Sequence, residues 1–162
     1  MQYQTALSLL MEEKQISIKT LVNQTSISER WLDQILKSAS WNPCVNTVLK
    51  ISEALKITAI QFVEFTETRK LHKTDYHSVQ ITPTEISSTL KTIRLQKGLS
   101  QSDLAKLTQF QLSSISLREN ERYQSYPTLL TLEVYCKAYN ISVSSFLTLA
   151  NKIPQNIQEA TL

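Results

Sequence analysis

Ile16-Ser-Ile-Lys-Thr-Leu21-Val22, running on through Thr25-Ser-Ile27 to Leu32, is answered later by Leu99-Ser-Gln-Ser-Asp-Leu104-Ala105, running on through Thr108-Gln-Phe110 to Ile115. The two stretches stand 83 residues apart and place their apolar residues in the same order. After one inserted residue the correspondence resumes at an offset of 84, pairing Pro43 with Pro127, Val48 with Leu132, Ala54 with Ala138 and Phe62 with Phe146. A period of this length is too long for a solenoid unit and reads as a duplicated domain.

Helix signals surround both stretches. In the first copy Leu7, Leu10 and Met11 recur at helical spacing, Ser17 caps a short helix, and Ser26-Ile-Ser-Glu29 has the form of a capping box that opens a third. A fourth helix follows Pro43, and Thr58-Ala-Ile-Gln61 opens a fifth. In the second copy Thr82-Pro83-Thr84-Glu85 joins a capping box to Pro at the first helical position, and Gly98 is placed to end that helix. Ser100 caps the next helix, with Asp103 in its first turn favoured by the helix dipole. The remaining helices are predicted over about 111–121, 128–139 and 142–150. The expected fold is all-α, with two tandem five-helix domains at 1–66 and 82–150, a linker over 67–81 and a polar, fraying tail over 151–162.

Composition removes several classes of function. Gly98 is the only glycine in 162 residues, so glycine-rich phosphate loops are absent and no nucleotide cofactor is expected. Cys44 and Cys136 lack metal-ligand spacing, and Cys136 reads as a small buried hydrophobe. His72 and His77, five apart in the linker, would not face one another on a helix, so no metal site is expected. Short, interrupted apolar runs and a start without a signal-peptide pattern argue for a cytoplasmic protein away from membranes. No Ser-His-Asp, Cys-His or paired-carboxylate constellation emerges, which argues against an enzyme. The net charge of +3 permits a nucleic-acid partner without requiring one.

In the second copy Arg94, Gly98-Leu-Ser-Gln101, Leu104-Ala105, Ile115-Ser116, Glu119-Asn120, Pro127 and Leu132 together resemble the helix-turn-helix domain of lambda-type repressors and Cro, the XRE family. The resemblance covers about 6–65 and 86–149. It implies that the third helix of a domain enters the major groove of double-stranded DNA while the N-terminus of the preceding helix meets phosphate. On this chain Gln101 would be the phosphate contact, Gln111, Leu112, Ser113 and Leu117 would face bases, and Asn120, Arg122 and Tyr123 would position the backbone.

Leu117-Arg118 reverses the family's polar-then-apolar order before Glu119. Either Arg118 packs its stem inward or it reaches DNA itself. In the first copy Met11, Ile18 and Leu36 replace Arg94, Gln101 and Glu119. Its reading helix would present Ser28, Arg30, Gln34 and Lys37, while Trp31 and Trp41 are candidate anchors for a protein contact. The first copy is thus open between a second DNA reader and a dimerisation or partner-binding module. For the whole chain the resemblance implies a DNA-binding transcriptional regulator, a repressor on a palindromic operator, with both half-sites read by one chain or by a homodimer. The alternative is an antitoxin-like or inhibitor adaptor that uses the scaffold for protein contacts.

Overall fold

A computed structural model describes residues 2–71 and 80–159 of the chain. Among these residues it is all-α, with ten helices and no strand. They divide into two compact units, Met1–Val79 and Gln80–Leu162. His72 and His77 lie outside the described residues.

The first unit holds α1 (Tyr3–Glu13), α2 (Ile18–Thr25), α3 (Glu29–Lys37), α4 (Val45–Ala54) and α5 (Ala59–Thr68). Leu7 and Leu10 of α1, Leu21 of α2, Leu32 of α3, Val45 and Ile51 of α4 and Phe62 of α5 are fully buried. Each helix thus turns one apolar stripe to a shared centre, which supplies most of the stabilisation of elements this short. The capping box that opens α5 forms as expected: Gln61 N–H donates to Thr58 Oγ1 at 3.0 Å and Thr58 N–H donates to Gln61 Oε1 at 2.7 Å.

The second unit holds α6 (Pro83–Gln96), α7 (Gln101–Thr108), α8 (Leu112–Arg118), α9 (Leu129–Tyr139) and α10 (Val143–Glu159). Its core joins Leu90, Leu104, Ile115, Leu129, Leu132, Tyr135, Tyr139 and Phe146. Thr82 and Glu85 form the expected box, and Gly98, at φ +67°, turns the chain out of α6 in the left-handed region where a side chain would be strained.

The turn before the third helix is built alike in both units. Thr25 Oγ1 donates to Leu21 O at 2.6 Å and accepts from Ile27 N–H; Thr108 Oγ1 donates to Leu104 O at 2.7 Å and accepts from Phe110 N–H. The next residue, Ser26 or Gln109, adopts the left-handed conformation, at φ 57° and 59°. A non-glycine residue pays about 1 kcal/mol or more to do so, and the threonine hydroxyl on either side of the bend offsets that cost. Thr108→Val keeps the volume and removes both bonds of a buried hydroxyl. It should lower the stability of the second unit by about 1–3 kcal/mol, read as a shift in urea midpoint at unchanged slope.

Four expectations are corrected. Ser26 does not open α3: it ends α2, and Ser28 is the N-cap, accepting from Trp31 N–H. Two serines near the bend offered the same acceptor, and the left-handed turn consumes the first. Helix α8 stops at Arg118, three residues short of the predicted end, because Asn120 begins a tight turn. Ile81, read as linker, is buried, and its carbonyl accepts from Tyr126 Oη at 3.0 Å, so it belongs to the second unit. Finally, α10 runs past Ala150 and through Pro154 to Glu159. Proline's fixed φ is helical, and the helix continues despite the lost donor and the crowding of the preceding turn that an interior proline brings, at about 3 kcal/mol.

Candidate nucleic-acid interface

The sequence around α7 and α8 fixes two short helices across a rigid bend. Ser100 caps α7, and Asp103 closes a reciprocal box with it, each backbone N–H meeting the other's side-chain oxygen at 3.0 Å. The Ser100 hydroxyl and N–H hold the Asp103 carboxyl below its ordinary range. This second bond of the box is one that the spacing Ser-x-x-Asp did not announce, since the familiar partner is Glu or Gln.

A buried ion pair then ties α8 to α6. Arg94 Nε donates to Glu119 Oε1 at 2.6 Å, Arg94 Nη2 to Glu119 Oε2 at 2.8 Å, and Arg94 Nη1 to Leu99 O at 2.7 Å. The carboxylate raises the Arg94 pKa above its already high value. Glu119 caps the C-terminal end of α8, where the helix dipole disfavours an anion, and the two-pronged guanidinium compensates. Gln101, at the first position of α7, donates its amide to Glu119 Oε2 at 2.9 Å. The expected phosphate contact is therefore half-buried and held inward, with part of its hydrogen-bonding capacity committed to the clamp.

Exposure on α8 follows helical geometry. Leu112, Ser113, Ser116 and Leu117 face solvent, and Ile115 and Glu119 face the core. At about 100° per residue the outward positions fall in the order Leu112, Ser116, Ser113, Leu117, an arc of roughly 140°. Gln111 stands beside this arc as the α8 N-cap, exposed and with no capping bond from its side chain. Ser116, near the middle of the arc, is absent from the expected base-facing set; plotting the helix at its own period would have included it.

Arg118 is half-buried and lines a small concavity with Ile86, Leu90, Tyr123 and Pro127. Tyr123 shares that packing. The loop after α8 is pinned rather than loose: Asn120 Oδ1 accepts from Arg122 N–H at 3.0 Å, Tyr123 N–H donates to Asn120 O at 2.8 Å, and Gln124 donates to Glu121 O and Thr84 Oγ1. The result is an exposed Arg122 that shares a shallow polar groove with Lys91, Ser116, Asn120 and the carboxylates Glu119 and Glu121.

The equivalent helix of the first unit carries a different surface. Glu29, Arg30, Gln34 and Lys37 are exposed, and Lys37 Nζ pairs with Asp33 at 2.6 Å. Ser28 uses its hydroxyl as the cap. Trp31 is 39% exposed, whereas Trp41 is half-buried. No ionic clamp is available, because Met11 and Leu36 stand where Arg94 and Glu119 would; instead Gln4 Nε2 donates to Leu36 O at 2.7 Å.

Among the described residues no group of His, Cys, Asp and Glu is placed to hold a metal, and no helix is long and apolar enough to cross a membrane. A family model described as helix-turn-helix matches residues 90–146, from the middle of α6 to the first turn of α10. It is a family of DNA-binding regulatory domains of the XRE type, and the match spans the clamp, the bend and the outward arc of α8. No curated protein matches the chain. No solved structure matches it.

Proposed function

We propose that the protein is a sequence-specific regulator that binds double-stranded DNA, reading the major groove with α8 and acting as a repressor. The observation that carries this reading is the helix-turn-helix match over 90–146 laid on an α8 whose outward side chains, Leu112, Ser113, Ser116 and Leu117, are exposed. Arg122 and Lys91 at the arc's edge supply the phosphate contacts that set register, and Gln111 and the serines supply donors and acceptors for base edges. The matching turns at Thr25 and Thr108 support a tandem of two related domains, 1–66 and 82–150, in a cytoplasmic chain that pairs as a homodimer on a palindromic site.

For the first unit a second reading has its own support. Its polar clamp is replaced by Met11, Ile18 and Leu36, and Trp31 is displayed on α3, a composition suited to a protein contact. Dimerisation or partner binding through this unit agrees with DNA reading by the other.

Binding to fragments of the chain's own upstream region, followed across a salt series, tests the main reading. Each phosphate contact releases counterions, so affinity should fall on the order of a hundredfold or more between about 50 and 200 mM salt. Failure to retain any duplex at low salt would remove the proposal.

A further inference from the structure

We infer that the reading arc of α8 recognises thymine methyl groups, so that the bases facing Leu112 and Leu117 are A·T pairs; this rests on α8 being the DNA-reading helix. Leu112 and Leu117 are 48% and 47% exposed, on a helix whose other apolar residue, Ile115, is fully buried. Between them the arc carries only Ser116 and Ser113. The one cation on the helix, Arg118, falls outside this arc and is half-buried, lining a small concavity with Ile86 and Leu90. An arc without Arg or Lys lacks the two-pronged donor that guanine O6 and N7 reward. Thymine C5-methyl is the apolar feature of the major groove, and an exposed leucine is its natural contact. Gln111 adds a side chain able to meet adenine N6 and N7 together.

A protein partner is the other way to cover exposed leucines, and the spacing disfavours it. Helices that dock in apolar grooves present anchors at i, i+3 or i+4 and i+7 as one stripe. Leu112 and Leu117 are five apart and sit at opposite edges of the arc, with serines between. They address two separate spots, as two bases would require. In the first unit the same helical positions hold Glu29, Asp33, Arg30 and Gln34, so α3 does not share this apolar signature.

The test uses the full chain and a duplex selected by it from random DNA. Replacing thymines one at a time with deoxyuridine removes a methyl and leaves the pairing intact. Affinity should fall roughly three- to fivefold at one or two positions, the worth of one buried methyl. In Leu112→Ser or Leu117→Ser, exposed changes that leave the helical circular dichroism unaltered, the loss at the matching position should vanish. If deoxyuridine changes nothing at any thymine of a tightly bound duplex, or if its effect survives both leucine variants, the methyl reading is overturned while DNA binding stands. If no duplex is retained at low salt, DNA reading itself fails and the leucines belong to a protein surface.

Discussion

Arg94→Met should destabilise the second unit by about 3–5 kcal/mol, and adding Glu119→Leu should recover most of that loss. The single change strands a carboxylate that is only 2% exposed, against a helix terminus that repels it. Folded domains are stable by about 5–15 kcal/mol, so the single variant approaches unfolding at ordinary temperature. Replacing both partners with apolar groups removes the desolvated charge altogether, which is often neutral or favourable. The first unit shows that the same positions accept this solution, with Met11 8% exposed and Leu36 half-buried. Gln101 loses its acceptor in the double variant, but it is half-exposed and water can replace the bond. Urea melts of the two single variants and the double variant, followed by circular dichroism, measure the coupling directly. A double variant as unstable as either single would show that the clamp does more than neutralise itself. A stable double variant with weakened DNA binding would locate the clamp's role in aiming the end of α8.

The parts of this architecture visible in the sequence are those whose cause is local. Thr58 with Gln61 and Thr82 with Glu85 act across three residues, and both boxes form at the expected places. Apolar periodicity likewise puts Leu7, Leu10 and Met11 on one face, and all three are buried. Where the cause is distant or conformational, the signal fades. Nothing in the string Thr108-Gln109-Phe110 marks a glutamine in the left-handed region, because the hydroxyl bond that holds the bend is made after the chain has turned. Gln101 meets Glu119 across 18 positions, a bond that no local pattern announces. The order Leu117-Arg118 leaves two directions open for the Arg118 side chain; in the fold it lines a small concavity with the buried Ile86 and Leu90 and the half-buried Tyr123. Ser116 is the instructive omission, since only the 3.6-residue period was needed to see it.

Alkaline pH should unfold the second unit before the first. Tyr135 and Tyr139 lie fully inside the second core, their rings 6.2 Å apart, and burial pushes the Tyr135 phenol up to about 12 and that of Tyr139 up as well. Unfolded tyrosine ionises near 10. Between those values the unfolded chain has released protons that the folded unit still holds, so stability is intact below pH about 10 and falls above it. Each tyrosine costs about 1.4 kcal/mol per pH unit in that window, or roughly 3 kcal/mol for the pair near pH 11. At the positions 84 residues earlier the first unit carries Ile51 and Leu55, buried and unable to ionise. The spectroscopy separates the two units, since Trp31 and Trp41, the chain's two tryptophans, are both in the first. Tyrosinate absorbance and part of the circular dichroism should change together above pH about 10 while tryptophan fluorescence holds its folded value. Tyr135→Phe should move that transition to higher pH at no cost near neutrality, because the Tyr135 hydroxyl is buried without a hydrogen-bond partner. Tyr139→Phe should move it too, yet lower neutral stability by about 1 kcal/mol, because Tyr139 Oη donates to Leu90 O at 3.1 Å. Coincident tyrosine and tryptophan transitions would instead show that the two units unfold as one, and the buried tyrosines would then set the alkaline limit of the entire chain.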